Sequence, residues 1–189
     1  MVIKFLPTIY EHSAAVVGAT PSEAAYDYEL FVRGQIRAYE LYSHDLITVG
    51  IDIYNVEAEA LGMKVIRYDD DTLPSIQGIL LDELEQVSDL KVPDPHRDGR
   101  MPMFLAAAEE ISKKTKAAVN GCITGPYTLA AILRGYENLI IDLHTDPDEV
   151  KQLLEFTYKV CVEYGKAYID MGLGLSVNES WIAPPLLNP

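Results

Sequence analysis

The chain has 189 residues, with 15 Lys and Arg against 29 Asp and Glu, a formal charge of −14 and 49% hydrophobic residues. That is enough for one sizeable core, and a single domain over residues 1–189 is expected. The acidity argues against nonspecific binding to nucleic acid or anionic membrane, which are themselves negative.

A first strand is expected near Lys4, followed by Tyr10, Glu11 and His12. Thr20-Pro21-Ser22-Glu23 reads as a capping box with proline at the first helical position. It opens a helix expected to reach about Ser43, with an apolar face of Tyr28, Phe31, Val32, Ile36, Tyr39 and Tyr42. The apolar run over residues 46–54 predicts an interior parallel strand. Residues 63–74 predict an exposed strand or hairpin, residues 75–87 a helix, and residues 91–100 a loop. Helix returns over residues 102–114, a second buried strand follows over residues 117–124, and Pro126 opens a helix ending near Gly135. Asp146-Pro147-Asp148-Glu149 combines an acidic cap, an N1 proline and carboxylates at the positive end of a helix. This longest helix is expected to reach Met171, with Gly172 as its stop and Cys161 as a small packed hydrophobe. A last strand over residues 173–177 leads to Asn178-Glu179-Ser180-Trp181 and a proline-rich end, with Trp181 in the core.

Strands alternating with helices mean parallel β/α architecture. Strands starting near Lys4, Leu46, Ala117 and Leu173 make about four β/α units, where a closed barrel needs eight. Three arrangements stay open: half of a longer barrel, two halves that pair, or an open sheet. The apolar runs are too short for a membrane span, and residues 1–7 lack the pattern of a secretory signal. A cytoplasmic location is expected. Cys122 and Cys161 lie in no CxxC or zinc-finger spacing, so reduced thiols are the default.

In parallel β/α folds the residues after each strand converge on one rim. Asp52 stands inside an apolar run, where a carboxylate is costly unless paired. It is either a functional carboxylate or a structural acceptor for loop N–H groups. Glu57 and Glu59 lie near the helix start expected at VEAEALG, as caps or as groups for ligation and acid-base work. Asn55 follows the same strand, Asn120, Cys122 and Thr124 belong to the third, and Asn178, Glu179 and Ser180 follow the fourth. The helix-opening GPYTL suits a substrate carboxylate or phosphate at its N-terminal N–H groups. His44-Asp45 reads as a cation at a helix C-terminus. A zinc site from His12, His44 and Cys122 is disfavoured, because zinc wants three or four convergent ligands, and no metal ligand is assigned.

GIDIYNVEAEALGMKV (residues 50–65), GPYTLAAILRG (125–135), DPDEVKQLLEFTYKVCVEYGKAYIDMGLG (146–174) and NESWIAPPLLNP (178–189) resemble the uroporphyrinogen decarboxylase superfamily. The resemblance implies a TIM-type (β/α)8 barrel, of which this chain supplies about the first half. That superfamily contains the haem-pathway decarboxylase and zinc-dependent corrinoid methyltransferases. Asp52 falls where the decarboxylase holds the pyrrole N–H groups, and Ser180 falls near its substrate-contacting serine. The decarboxylase's N-terminal arginines have no counterpart, since no arginine precedes Arg33, and Ala131 and Ile132 stand where a tyrosine is expected. A porphyrinogen with its carboxylates would lack its clamps.

YNVEAEALG and YEHSA look more like the methyltransferase branch. That likeness implies methyl transfer from a corrinoid carried by a partner protein to a thiol or folate, through attack of a zinc-bound thiolate on the methyl of Co(III). The zinc ligands, a His-x-Cys pair and a later Cys, are expected beyond Pro189, so activity alone is expected to be absent or poor. Asp52 is the expected catalytic carboxylate. His12, Asn55, Glu57, Asn120, Thr124, Glu179 and Ser180 are expected to line the corrinoid- or substrate-facing rim. The rival readings are a porphyrinogen decarboxylase with Asp52 on the pyrroles, and a noncatalytic half-barrel interaction module. Exposed strand edges imply a homo-oligomer or a missing C-terminal half.

Overall fold

A computed structural model describes residues 3–182. Residues 3–9 form no strand. Phe5 N–H donates to Asp45 Oδ2 at 2.8 Å, and Asp45 N–H donates to the Phe5 carbonyl at 2.9 Å. In place of the strand expected near Lys4 there are only these two hydrogen bonds between Phe5 and Asp45, without a ladder. A single turn, α1 (His12–Ala15), follows.

The capping box forms as read. Glu23 N–H donates to Thr20 Oγ1 at 3.1 Å, and Thr20 N–H donates to Glu23 Oε2 at 2.8 Å. The helix it opens, α2 (Pro21–Tyr26), stops early because Asp27 takes extended angles and its Oδ1 accepts Leu30 N–H at 2.9 Å. Asp27 thereby caps a second helix, α3 (Tyr28–Tyr42). One expected helix becomes two, since an aspartate can outcompete the helix for nearby N–H groups.

Strand β1 (Leu46–Val49) is shorter than the expected 46–54. The chain turns at Gly50, where a Cβ would press on Ile53 Cγ2 and come within 3.3 Å of Cys122 Cβ. After α4 (Val56–Ala60) come β2 (Lys64–Ile66) and β3 (Ser75–Gln77), an antiparallel pair with Val65 opposite Ile76. This pairing takes residues 75–77 out of the helix expected over 75–87. Gly78, at φ +76°, ends the strand, and only a 3-10 helix, Leu84–Asp89, survives of that helix.

The second half follows the reading more closely: α5 (Met101–Lys114), β4 (Ala118–Thr124) and α6 (Pro126–Arg134). Gly135 breaks the chain at φ +83° and a helix not anticipated, α7 (Tyr136–Thr145), follows. Next come α8 (Pro147–Asp170), the Gly172 stop at φ +76°, and β5 (Gly174–Asn178). Asp146 makes no side-chain cap bond, so the start of α8 carries Pro147, Asp148 and Glu149 alone of the expected signals.

The parallel sheet has the order β1-β4-β5, with Leu46 opposite Ala118, Asn120 opposite Gly174 and Thr124 opposite Asn178. Successive parallel strands lie side by side across helical connections, which is the winding of a β/α barrel, here in part. One face packs on α8: the Tyr168 ring occupies the space where Gly121 would carry a Cβ, and Gly165 lets Ile123 and Leu175 approach. Phe31, Ile47, Phe104, Ile111, Ile123, Leu129, Tyr164 and Tyr168 are fully or almost fully buried in this core. Trp181 packs partly buried against it, its ring 4.8 Å from that of Tyr136. The proline-rich end lies outside the described residues. Among those described, no helix is long and apolar enough to cross a membrane.

Candidate functional site

Alternation along β4 directs Asn120 and Cys122 to the sheet face opposite α8. Asn120 Nδ2 donates to Ser176 Oγ at 3.1 Å, and Asn178 Nδ2 donates to Cys122 Sγ at 2.8 Å. Tyr10, at φ +30°, brings its hydroxyl to 3.4 Å from Cys122 Sγ. Beyond the strand ends, the Tyr54 and Ser180 hydroxyls share a hydrogen bond. Asn120 and Ser180 thus belong to one row of hydroxyl, amide and thiol groups. Burial pushes the Cys122 thiol up to about 11, so it is protonated at neutral pH.

Thr124, the last residue of β4, is saturated by its neighbours. Its N–H donates to Glu57 Oε1 at 2.7 Å, its Oγ1 lies 2.9 Å from both Glu57 Oε2 and the Ile53 carbonyl, and Cys161 Sγ donates to its carbonyl at 3.0 Å. Glu57 is fully buried, and burial pushes its carboxyl up to about 7 against the pull of the Thr124 hydrogen bonds. Glu57 and Glu59 both lie in the first turn of α4, as expected of carboxylates at a helix start, and Glu57 in addition makes these tertiary contacts. Cys161 is packed, as read, with its thiol raised by burial.

Glu179 reaches back from the end of β5 to the start of α6. Its Oε1 accepts Tyr127 N–H at 2.9 Å, and its Oε2 accepts Thr128 N–H at 2.9 Å and Thr128 Oγ1–H at 2.7 Å. The N-terminus expected to receive a substrate anion therefore holds the chain's own carboxylate. Gly125 has no side chain because that of Glu179 fills the space. Ser180 N–H donates to Thr128 Oγ1 at 3.1 Å, which fixes the following residue as well.

Asp52 is only 4% exposed. Arg100 meets it as a fork, Nη1 to Oδ1 at 2.8 Å and Nη2 to Oδ2 at 2.7 Å, while Arg100 Nε reaches Glu59 Oε2 at 2.5 Å. Asn55 Nδ2 donates to Asp52 Oδ2 at 3.2 Å and to the Pro74 carbonyl at 2.6 Å, and the Tyr26 ring covers the guanidinium at 4.1 Å. Burial pushes Asp52 up, opposed by the Arg100 bonds and charge. Arg100 is driven up overall, because Asp52 and Glu59 outweigh its own burial. The geometry gives Asp52 and Asn55 a binding partner inside the chain. Sequence reasoning left Arg100 in a loop; its one signal was a cation at a helix start, where the dipole disfavours it.

His12 is exposed and bonds Tyr42 at the last turn of α3, Nε2 to hydroxyl 2.8 Å, and no hydrogen bond joins it to the strand-end residues among those described. His44 is buried without a hydrogen-bond partner, and burial lowers its pKa. It is neutral, not the cation that its place after α3 suggested. Among the described residues no three His, Cys, Asp or Glu side chains converge as metal ligands. His12, His44 and Cys122 do not converge, so together they do not fit a zinc ion.

Fold and site together define part of a parallel β/α barrel with an internally braced strand-end rim. The uroporphyrinogen decarboxylase (URO-D) family model matches residues 6–183, and the chain belongs to that family. It is 27% identical over 161 residues to the methylated-thiol–coenzyme M methyltransferase of Methanosarcina mazei, covering 84% of this chain and 42% of the relative. A solved methyltransferase from Methanosarcina mazei superposes with a TM-score of 0.85 at 23% identity, over 99% of this chain and 57% of the other. The chain thus spans about half the length of these relatives.

Proposed function

We propose that this chain forms one wall of a corrinoid-dependent methyltransferase, in which a methyl group passes from a corrinoid carried by a partner protein to a thiol. A folate acceptor is the other candidate. The observation that carries this reading is the uncharged character of the row on the sheet face opposite α8. Tyr10, Asn120, Ser176, Asn178, Tyr54 and Ser180, each at least partly exposed, offer hydroxyl and amide groups suited to the neutral amide periphery of a corrin. Asp52, Glu57 and Glu179 are consumed within the chain, and Arg100 is consumed by Asp52 and Glu59. A polycarboxylate porphyrinogen requires free guanidinium forks, which weighs against decarboxylation.

A methylated corrinoid held against this wall would supply an electrophilic methyl group to the acceptor thiolate and would keep the electron pair of the bond given up. The residues of this chain orient the macrocycle through Tyr54, Ser180, Asn120 and Asn178. The electrophile and the activating metal come from elsewhere. Equilibrium dialysis of the purified chain against methylcobalamin and against uroporphyrinogen tests the reading. Retention of the cobamide alone is expected; retention of the porphyrinogen alone, or of neither, would overturn it.

A further inference from the structure

A proton count at the end of β4 carries an inference that is independent of the methyltransferase reading. Thr124 Oγ1 owns one hydrogen, yet it lies 2.9 Å from two oxygens, the Ile53 carbonyl and Glu57 Oε2. A carbonyl brings no hydrogen. Both contacts are full two-centre hydrogen bonds only if Glu57 supplies the second hydrogen. Glu57 Oε1 meanwhile accepts Thr124 N–H at 2.7 Å, as the carbonyl oxygen of a carboxylic acid does.

No ion pair among the described residues includes Glu57. The groups facing it are Asp52 from the turn after β1, Cys122 from β4, and Cys161, Tyr164 and Tyr168 from α8. Asp52 aside, these are neutral acids raised by burial, and the cations on the helices beside α4 are engaged elsewhere. Arg100, at the head of α5, serves Asp52 and Glu59, and Arg134, at the end of α6, serves Asp142. A fully buried carboxylate without a cation is costly, and such a group keeps its proton instead.

We propose that Glu57 is a positioning residue held as a neutral carboxylic acid. Its Oε2–H donates to Thr124 Oγ1, whose own hydrogen passes to the Ile53 carbonyl, bolting the turn after β1 to the end of β4. Losing the proton leaves one of the two contacts without a hydrogen and loosens the rim between Tyr54 and Thr128. The direction of the Glu57 shift agrees, its carboxyl being raised to about 7 from 4.5 by burial.

A folded-state value above the unfolded one means that the native chain binds the extra proton. The stabilisation is complete below about pH 4.5 and is lost as pH rises toward 7, where the folding equilibrium constant has fallen by roughly 100-fold from this group.

Carbon-13 NMR of the wild-type chain, labelled in its Glu carboxyls, reads the group directly. A Glu57 midpoint near 7 is expected, and a midpoint at the ordinary 4.5 overturns the proposal. Glu57→Gln supplies the second readout, because its amide accepts from Thr124 N–H and donates to Thr124 Oγ1 at every pH. Its melting temperature should stay flat between pH 5 and 8 where that of wild type falls, and exceed wild type at pH 8. A variant that retains the wild-type pH profile, or unfolds at pH 8 while wild type is folded, would show that the fold holds the carboxylate.

Discussion

Asp52 and Arg100, 48 positions apart in sequence, close on each other as a two-pronged ion pair between the turn after β1 and the head of α5. Both side chains are almost wholly buried, at 0% and 8% exposure. The guanidinium also holds Glu59 and the Ala25 carbonyl, at 2.5 and 3.0 Å, so one residue ties α2, α4 and α5 to the sheet. Removing one partner of such a pair strands a charge in the interior, which typically costs about 3–5 kcal/mol. Arg100→Ala should lose stability on that scale in urea denaturation. Arg100→Lys should recover little of it, because one ammonium cannot span both oxygens of Asp52 and still reach Glu59. A lysine variant as stable as wild type would show that the fork is not what matters.

The Glu179 carboxylate caps α6 from another element, meeting two N–H groups and one hydroxyl. Glu179→Ala should cost about 1 kcal/mol, in the range of a lost N-cap. It should also raise hydrogen exchange at the Tyr127 and Thr128 amides. Unchanged protection at those amides would mean that the helix end does not depend on Glu179.

Gly121 sits where the Tyr168 ring of α8 leaves no space for a methyl group. Gly121→Ala forces α8 away from β4, an overpacking change costing about 1–3 kcal/mol. Thermal unfolding followed by circular dichroism measures it. A melting temperature equal to wild type would mean that the sheet and α8 have slack at this contact.

Cys122 and Cys161 are both buried, and burial raises both thiols, Cys122 to about 11. Iodoacetamide at pH 8 should label neither quickly in the native chain and both quickly in urea, since the thiolate is the reactive form. Mass spectrometry of timed samples reads the outcome. Rapid native labelling of Cys122 would instead place an available thiolate on the sheet face opposite α8.

The candidate site was legible in the sequence to a limited and instructive degree. Strand-end position alone singled out Asp52, Asn55, Glu57, Thr124, Glu179 and Ser180, and each of these makes a hydrogen bond at or near that rim. Their partners were not legible. Arg100 sat in a segment read as loop, Tyr54 lay inside a run read as strand, and His12 turned to Tyr42.

What the sequence determined by itself was local. The Thr20 capping box, the Pro126 and Pro147 helix starts, the Gly172 stop and the β-branched runs of β1 and β4 depend on residues within a few positions of one another. Backbone angles and hydrogen bonds at that range follow from residue type. The tertiary structure decided the rest. The hairpin that claimed residues 75–77, the Asp27 break between α2 and α3, the Glu179 cap and the Asp52–Arg100 fork each resolve a competition between acceptable local choices. For the Glu179 cap and the Asp52–Arg100 fork, the winning contact joins segments distant in sequence, and its free energy comes from desolvation and packing that spacing along the chain does not encode.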